Sequence, residues 1–436
     1  MDRRLRVLLL VAEPWRCDDA GGNTINNFFS GMDCEFAQIY CSSMLPDNTT
    51  CTKYFQITDE EVVKRFVSHG PVGRVLYYVK IEQKEGDNLH KTSTCSGLLT
   101  RIKRWRLDSF LFLKRFVWRY ANWKTPELKQ FISEFNPDVI FAPCYGFPFQ
   151  LALTRFVKEY TGKKVISWSA DDNYSLRQFS LSPFYWINRF WDRKCLRMTY
   201  PYFDELYSIS EDEINELTPV VGKQMKILRK GISLPEEYKE RDIHTPIQMI
   251  YAGGLYLNRY KILMRIVEAL KSINKDSVKM VLNIYSGSSL PQSAINVLND
   301  GRNSFLRGLI DSLELRQRYQ ESDIAIHCES FELKYRLATR LSFSTKIIDC
   351  VQSGCAILAI AWKEHTGLKY LQKEDAAICV SDISSLSKIL EEFVNNPGVL
   401  KEYARKAYEC GKRNHDIKDL QETLYASFIR NSTITN

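Results

Sequence analysis

The amino-acid sequence predicts an α/β protein of two doubly wound halves facing each other across a cleft. Three observations predict it. Strand-like and helix-like patterns alternate along the chain. A polar stretch bracketed by prolines interrupts them near the middle. The length, 436 residues, exceeds what a single hydrophobic core ordinarily supports.

The first half opens with "LRVLLLVA", an apolar run that stops at Glu13-Pro14 and reads as a buried strand. "EFAQIYC", "PDVIFAPC" and "KKVISWSA" repeat the pattern, the last behind the helical "FQLALTRFVKEYTGK". "DELYSISEDEINELTPVVGKQMKILRKGISL" adds strand, helix and strand. Such alternation builds βαβ units and a parallel sheet covered on both faces. "PEEYKERDIHTP", between Pro235 and Pro246, has a linker's composition. A second series follows: "IQMIYAGG", the helix "KILMRIVEALKSI", then "VKMVLNIYS", "SFLRG", "DIAIHC", a helix holding Lys346 and Asp349, "AILAIA" and "AAICV". The expected domains are residues 1–240, 241–415, and a C-terminal helix, 416–436, returning to the first.

Composition excludes several classes. The 44% hydrophobic and 26% charged content is that of a globular enzyme, and no apolar run is long enough to span a bilayer or serve as a signal peptide. Twelve cysteines without a CxxC pair and six histidines without HxxxH spacing predict reduced thiols, no metal site and a cytoplasmic protein. The net charge of +8 is concentrated. Residues 98–124, "LLTRIKRWRLDSFLFLKRFVWRYANWK", interleave eight cations with aromatic rings against the single acid Asp108. That pattern suits a helix lying on an anionic membrane surface, and equally a helix packed by its aromatic stripe on its own domain. No nucleic-acid motif accompanies it.

In an open α/β sheet, ligands bind beyond the carboxyl ends of the strands, and four stretches fall there. Gly21-Gly22, followed by Asn23 and Thr24, reads as a turn of close approach leading into a capped helix, or simply as a tight turn. It lacks both the GxGxxG and the P-loop spacing. Asp171-Asp172 closes "KKVISWSA", where one carboxylate can take a proton from an acceptor hydroxyl or cap a helix. In "YAGGLYLNRYK", Gly253-Gly254 frees the backbone, and Arg259 and Lys261 suit a diphosphate unless they are merely a solvated pair. In "SFSTKIIDCVQSG", Ser342, Ser344, Thr345 and Lys346 gather hydroxyls and charge at a helix start, fit for a phosphate. Asp349, one turn on, can hold ribose hydroxyls, and Gly354 stops the helix.

These residues resemble the GT-B glycosyltransferases of the retaining family 4, or group 1, most specifically through "DIAIHCESFELKYRLATRLSFSTKIIDCVQSGCAILAI". Lys346, Asp349 and Gly354 match the family's spacing of lysine, acid and glycine on the nucleotide-sugar helix, with Asp where Glu is usual. The resemblance implies two Rossmann-like domains and no cofactor beyond the nucleoside diphosphate sugar, which is substrate. With the residue readings above, Gly21, Gly22, Gly254, Arg259, Lys261, Ser342, Ser344, Thr345, Lys346 and Asp349 are expected to bind the donor, and Asp171, Asp172 and Glu329 to be catalytic. Leu341 stands where the family carries Glu, with Glu329 and Glu332 upstream. "RKG", residues 229–231, replaces a common Asn-Gly pair, and the family's acceptor-side histidine is missing.

The implied activity is transfer of a sugar from a nucleoside diphosphate sugar to a hydroxyl of a lipid-linked saccharide in cell-surface polysaccharide synthesis, with retention of configuration. The expected partners are that donor, that acceptor and an anionic membrane surface reached through residues 98–124, placing the protein on the membrane's inner face. Alternatives are an inactive partner subunit, motivated by Leu341, and a nucleotide-sugar 2-epimerase. A phosphorylase lacks an identifiable pyridoxal lysine, and a dehydrogenase lacks its glycine fingerprint.

Overall fold

A computed structural model describes residues 3–16, 20–77 and 97–432, excepting the side chains of 20–23 and 97–106. The chain divides into two compact units: Met1–Leu228 with Gln421–Asn436, and Arg229–Leu420.

The first unit runs β1 (Leu5–Val11), α1 (Ala20–Phe29), β2 (Cys34–Tyr40), β3 (Lys53–Gln56), α2 (Asp59–Ser68), β4 (Arg74–Tyr77), α3 (Gly97–Tyr120), α4 (Pro126–Phe135), β5 (Val139–Phe141), α5 (Pro148–Thr161), β6 (Val165–Ser169), α6 (Pro183–Thr199), β7 (Glu205–Ser208), α7 (Glu211–Val221) and β8 (Lys226–Ile227). Its sheet is ordered β4-β3-β2-β1-β5-β6-β7-β8, parallel except where β4 pairs antiparallel with β3. The central strands are buried on both faces, which accounts for their continuous apolar runs. β4 is mostly exposed and shows no such run, so the alternation in the sequence does not reveal it.

The second unit runs β9 (Ile247–Ala252), α8 (Tyr260–Ile273), β10 (Met280–Tyr285), α9 (Gln292–Leu298), β11 (Ser304–Gly308), α10 (Ser312–Gln320), β12 (Ile324–Cys328), α11 (Leu333–Ala338), α12 (Thr345–Gln352), β13 (Ala356–Ile360), α13 (Thr366–Lys373), β14 (Ile378–Val380), α14 (Leu386–Asn395) and α15 (Gly398–Asn414). Its all-parallel sheet has the order β11-β10-β9-β12-β13-β14. The strand order reverses between β9 and β12, so a ligand crevice is expected beyond their carboxyl ends. α8 turns Ile262, Leu263, Ile266, Val267 and Leu270 inward, as its period dictates.

Residues 235–246 have no regular structure and lie along the second unit. Arg241 donates to the carbonyls of Gln320 and Gly354, and the Tyr408 hydroxyl donates to those of Pro235 and Glu236. The last helix, α16 (Ile417–Asn431), packs its later turns on the first unit. Phe428 stacks on Phe29, and Ser427, Arg430 and Asn431 donate to the Glu205 carboxylate.

Candidate functional site

At the end of β9 the backbone is bent into unusual conformations. Gly253 has φ of 138°, and a Cβ there would lie 2.3 Å from Lys346 Cε and 2.6 Å from its Nζ. Only glycine leaves room for that lysine. Leu257 and Asn258 follow with φ of 59° and 58°, a left-handed pair that delivers Arg259 to the start of α8.

α12 begins at Thr345 behind Ser344, whose side chain makes no capping hydrogen bond. Lys346, in the first turn, reaches back over β9, where its Nζ donates to the Tyr251 hydroxyl and the Gly254 carbonyl, both at 3.2 Å. Burial, with the Arg259 guanidinium nearby, pushes the Lys346 ammonium down to about 8. Arg259 is itself buried and donates through Nε and Nη2 to Glu329, at 2.9 and 2.8 Å. Its remaining Nη1 is buried with no hydrogen-bond partner among the described residues. Both nitrogens of fully buried His327 are likewise without a partner among them. Burial, then His365, Lys346 and Arg259, hold His327 well below the usual imidazole range, so the ring is neutral. Buried donors ordinarily have acceptors, so this cluster can receive one.

Asp349 accepts from Lys230 Nζ at 2.8 Å, its side chain 40% exposed. Lys261 lies on the surface instead, paired with Glu332 at 2.6 Å. Leu341 is buried. The fold thus brings Gly254, Arg259, Glu329, Ser344, Thr345 and Lys346 to the β9 and β12 ends, while Lys261 points to solvent with Glu332. Ser342 precedes α12, its amide donating to the Thr339 carbonyl.

In the first unit, Gly21 and Gly22 fall inside the first turn of α1, which starts at Ala20. The pair is therefore helical rather than a turn preceding the helix. Asp171 is exposed in the loop after β6. Asp172 is buried, and its oxygens accept from the amide and hydroxyl of Ser175 (2.8 and 2.5 Å), from Arg189 (3.0 Å) and from Gln178 (3.3 Å). Beneath the loop, buried Glu213 accepts from the hydroxyls of Ser169 and Ser208, each at 2.5 Å. Burial pushes the Glu213 carboxyl up to about 8 against those hydroxyls, with Asp171 and Asp172 adding to the rise.

Of α3, the side chains from Leu107 onward are described, so Arg101, Lys103, Arg104, Trp105 and Arg106 lie outside the described side chains. The described half is divided. Val117 and Trp118 are buried, Trp118 donating to Asp59, and Arg115 forms a two-point ion pair with Asp192 of α6. Leu107, Phe110, Leu113 and Tyr120 are exposed. No described helix is long and apolar enough to cross a membrane.

Sequence reasoning missed His327, Glu213 and Lys230. His327 shares a strand face with Glu329 at a spacing of two, a detectable signal once Glu329 is suspected. Ser210 and Glu213 read as a capping pair, and Ser210 does cap α7, which hides the separate use of the carboxylate. Nothing in the sequence pairs Lys230 with Asp349.

No protein-family model matches the chain, and no curated protein matches it by sequence. Solved structures do. HepE of Anabaena in complex with UDP and glucose matches with a TM-score of 0.62 at 9% identity, over 98% of this chain and 100% of that one. The sucrose-phosphate synthase of Thermosynechococcus elongatus matches with 0.61 at 12% identity, over 98% and 99%. The lipopolysaccharide outer core galactosyltransferase WaaB, in its apo form, matches with 0.54 at 10% identity, over 97% and 100%. These are GT-B glycosyltransferases, and the chain has the GT-B fold.

Proposed function

We propose that this protein is a glycosyltransferase that moves a sugar from a nucleoside diphosphate sugar to a hydroxyl of a lipid-linked saccharide in cell-surface polysaccharide synthesis, with retention. One observation carries the reading: Lys346 and the Nη1 of Arg259, which has no hydrogen-bond partner among the described residues, lie together beyond β9 and β12, at the switch point of a parallel sheet. A departing diphosphate needs its developing charge neutralised, and preorganised cations in a desolvated site do this most effectively. The Glu329 carboxylate holds Arg259 in the required rotamer, and Asp349 on α12 takes the ribose hydroxyls by exchanging its bond with Lys230. UDP in the HepE structure supports a nucleotide donor. In the first unit, Asp171 orients the acceptor hydroxyl from a loop that Asp172 anchors. α3 brings the protein to the membrane face where a lipid-linked acceptor resides.

A thermal-shift screen against UDP- and GDP-sugars tests the reading. A shift with one donor, followed by slow hydrolysis of that donor, is expected. Absence of any shift with every nucleotide sugar and with UDP overturns it. Leu341, buried where the resembling family has an acid, favours a second reading, a nucleotide-binding partner subunit without turnover, for which binding without hydrolysis is the signature.

A further inference from the structure

Apart from the cluster at the β9 and β12 ends, α3, α5 and α6 enclose a concavity of about 390 Å³ in the first unit. Trp118, Trp123, Phe149 and Trp191 wall it, and Arg115, Arg119, Lys124, Arg155 and Lys194 line it, with no carboxylate among the lining residues. The cations are poorly compensated. Arg119, Lys124 and Lys194 are exposed, and none of them, nor Arg155, forms an ion pair among the described residues. Arg119 and Lys124 rest on aromatic rings, and Arg155 donates to the Thr199 hydroxyl. Arg115 spends Nε and Nη2 on Asp192, but its Nη1 is buried without a hydrogen-bond partner among the described residues. Beside the concavity, Ile187, Phe190 and Met198 of α6 stand exposed, an apolar flank next to the cations.

We propose that this concavity binds the phosphate headgroup of an anionic phospholipid, its cations on the phosphate and the exposed apolar side chains of α6 in the interfacial layer of the bilayer. Charge complementarity selects the ligand, since clustered cations without carboxylates gain most from an anion. The apolar flank selects the bilayer as its source, because a free phosphate offers nothing to those side chains. The inference rests on the membrane-surface reading above and narrows it from a helix to a defined headgroup site.

The test is flotation of the full chain with vesicles of phosphatidylcholine, alone or mixed with phosphatidylglycerol. It compares wild type, Arg119→Glu with Lys194→Glu, and a control pair of the same charge change, Lys129→Glu with Lys275→Glu. Arg119 and Lys194 are exposed, so their reversal spares the core, and an unchanged thermal midpoint verifies this. Wild type is expected to bind only the mixed vesicles, the concavity pair at least about thirtyfold more weakly, and the control within about twofold. If wild type ignores mixed vesicles, the membrane reading and this inference fall together. If both double variants bind as wild type does, only the headgroup site falls. Inorganic phosphate at constant ionic strength releasing wild type from vesicles would overturn the lipid as occupant. So would a wild-type dimer in sedimentation that the concavity pair dissociates, which would make the face a self-interface.

Discussion

At the strand ends of the second unit, Arg259 Nη1 and both His327 nitrogens are buried without a partner among the described residues, and a lysine is held partly desolvated beside them. At those of the first unit, the carboxylates of Asp172 and Glu213 are met by serine hydroxyls, a guanidinium and a backbone amide. Both clusters are polar, buried and close to strand ends, yet only the cluster of Arg259 and His327 leaves donors open among the described residues. A closed network maintains a loop, whereas an open one costs stability that only a ligand returns. Polarity at a strand end therefore does not by itself mark a binding site, but unanswered donors do.

The largest expected effect tests the closed network. Asp172→Ala removes the acceptor for Ser175 and leaves the Arg189 guanidinium unpaired in a partly buried place. Unfolding by urea should show a loss of about 3 kcal/mol. Nucleotide affinity should be unchanged, because the proposed phosphate and ribose contacts, Arg259, Lys346 and Asp349, belong to the other unit. A stable variant with lost transfer would instead make Asp172 a participant in the chemistry, and the comparison would break.

The open network is tested next. Lys346→Ala should weaken binding of the cognate nucleoside diphosphate by about 1.5 to 3 kcal/mol with little change in stability. Calorimetry reads it directly. Gly253→Ala should imitate the loss, since its new methyl group would occupy the space of the lysine ammonium. Unchanged affinity in both variants would remove Lys346 from the site.

How far each network could be read beforehand follows from the kind of contact involved. Lys346 and Asp349 lie on one short helix that ends just before Gly354, and a helical spacing is legible in sequence. Strands β12 and β13 were equally plain, because a strand buried on both faces is a continuous apolar run. Arg259 was legible as a cation at a strand-to-helix junction, but its bond to Glu329 joins residues 70 positions apart and depends on β9 lying beside β12. Lys230 and Asp349 are 119 apart, and Glu213 meets Ser169 across 44 positions. Such pairings are set by strand order, which local periodicity does not encode. Lys261 shows the converse: its residue type and place suited a phosphate, yet an exposed acid on the α11 side takes it.

Protonation sharpens the contrast, first in the open network. Lys346 carries a depressed value of about 8, against 10.5 ordinarily, so the free protein loses its charge as pH rises through 8. Nucleotide affinity should fall by up to about tenfold per pH unit above that point, stopping at the level of Lys346→Ala. Because the bound diphosphate restores the charge, binding above pH 8 should take up a proton, seen as a binding enthalpy that depends on the buffer. A flat pH profile in wild type, with normal loss in Lys346→Ala, would show the lysine charged throughout.

In the closed network the sign reverses. Glu213 is raised to about 8 from 4.5, so between those values the folded chain holds a proton that the unfolded chain has released. Stability from this group is complete below pH 4.5 and declines as pH rises toward 8. Glu213→Gln removes the titration while keeping an amide that can bond both Ser169 and Ser208. The variant should therefore gain on wild type with rising pH, by about 3 kcal/mol between pH 5 and 8, since each pH unit between the two values is worth about 1.4 kcal/mol. Urea unfolding of both proteins at the two pH values reads the difference of differences, which cancels every other titrating group. Equal pH dependence in the two would mean that Glu213 is ionised in the folded chain at pH 5, and that its hydroxyl partners stabilise the charge outright. A larger gain, accompanied by altered transfer, would mean that the proton on Glu213 is felt by Asp171 in the loop above it, and the first unit's network would no longer be closed.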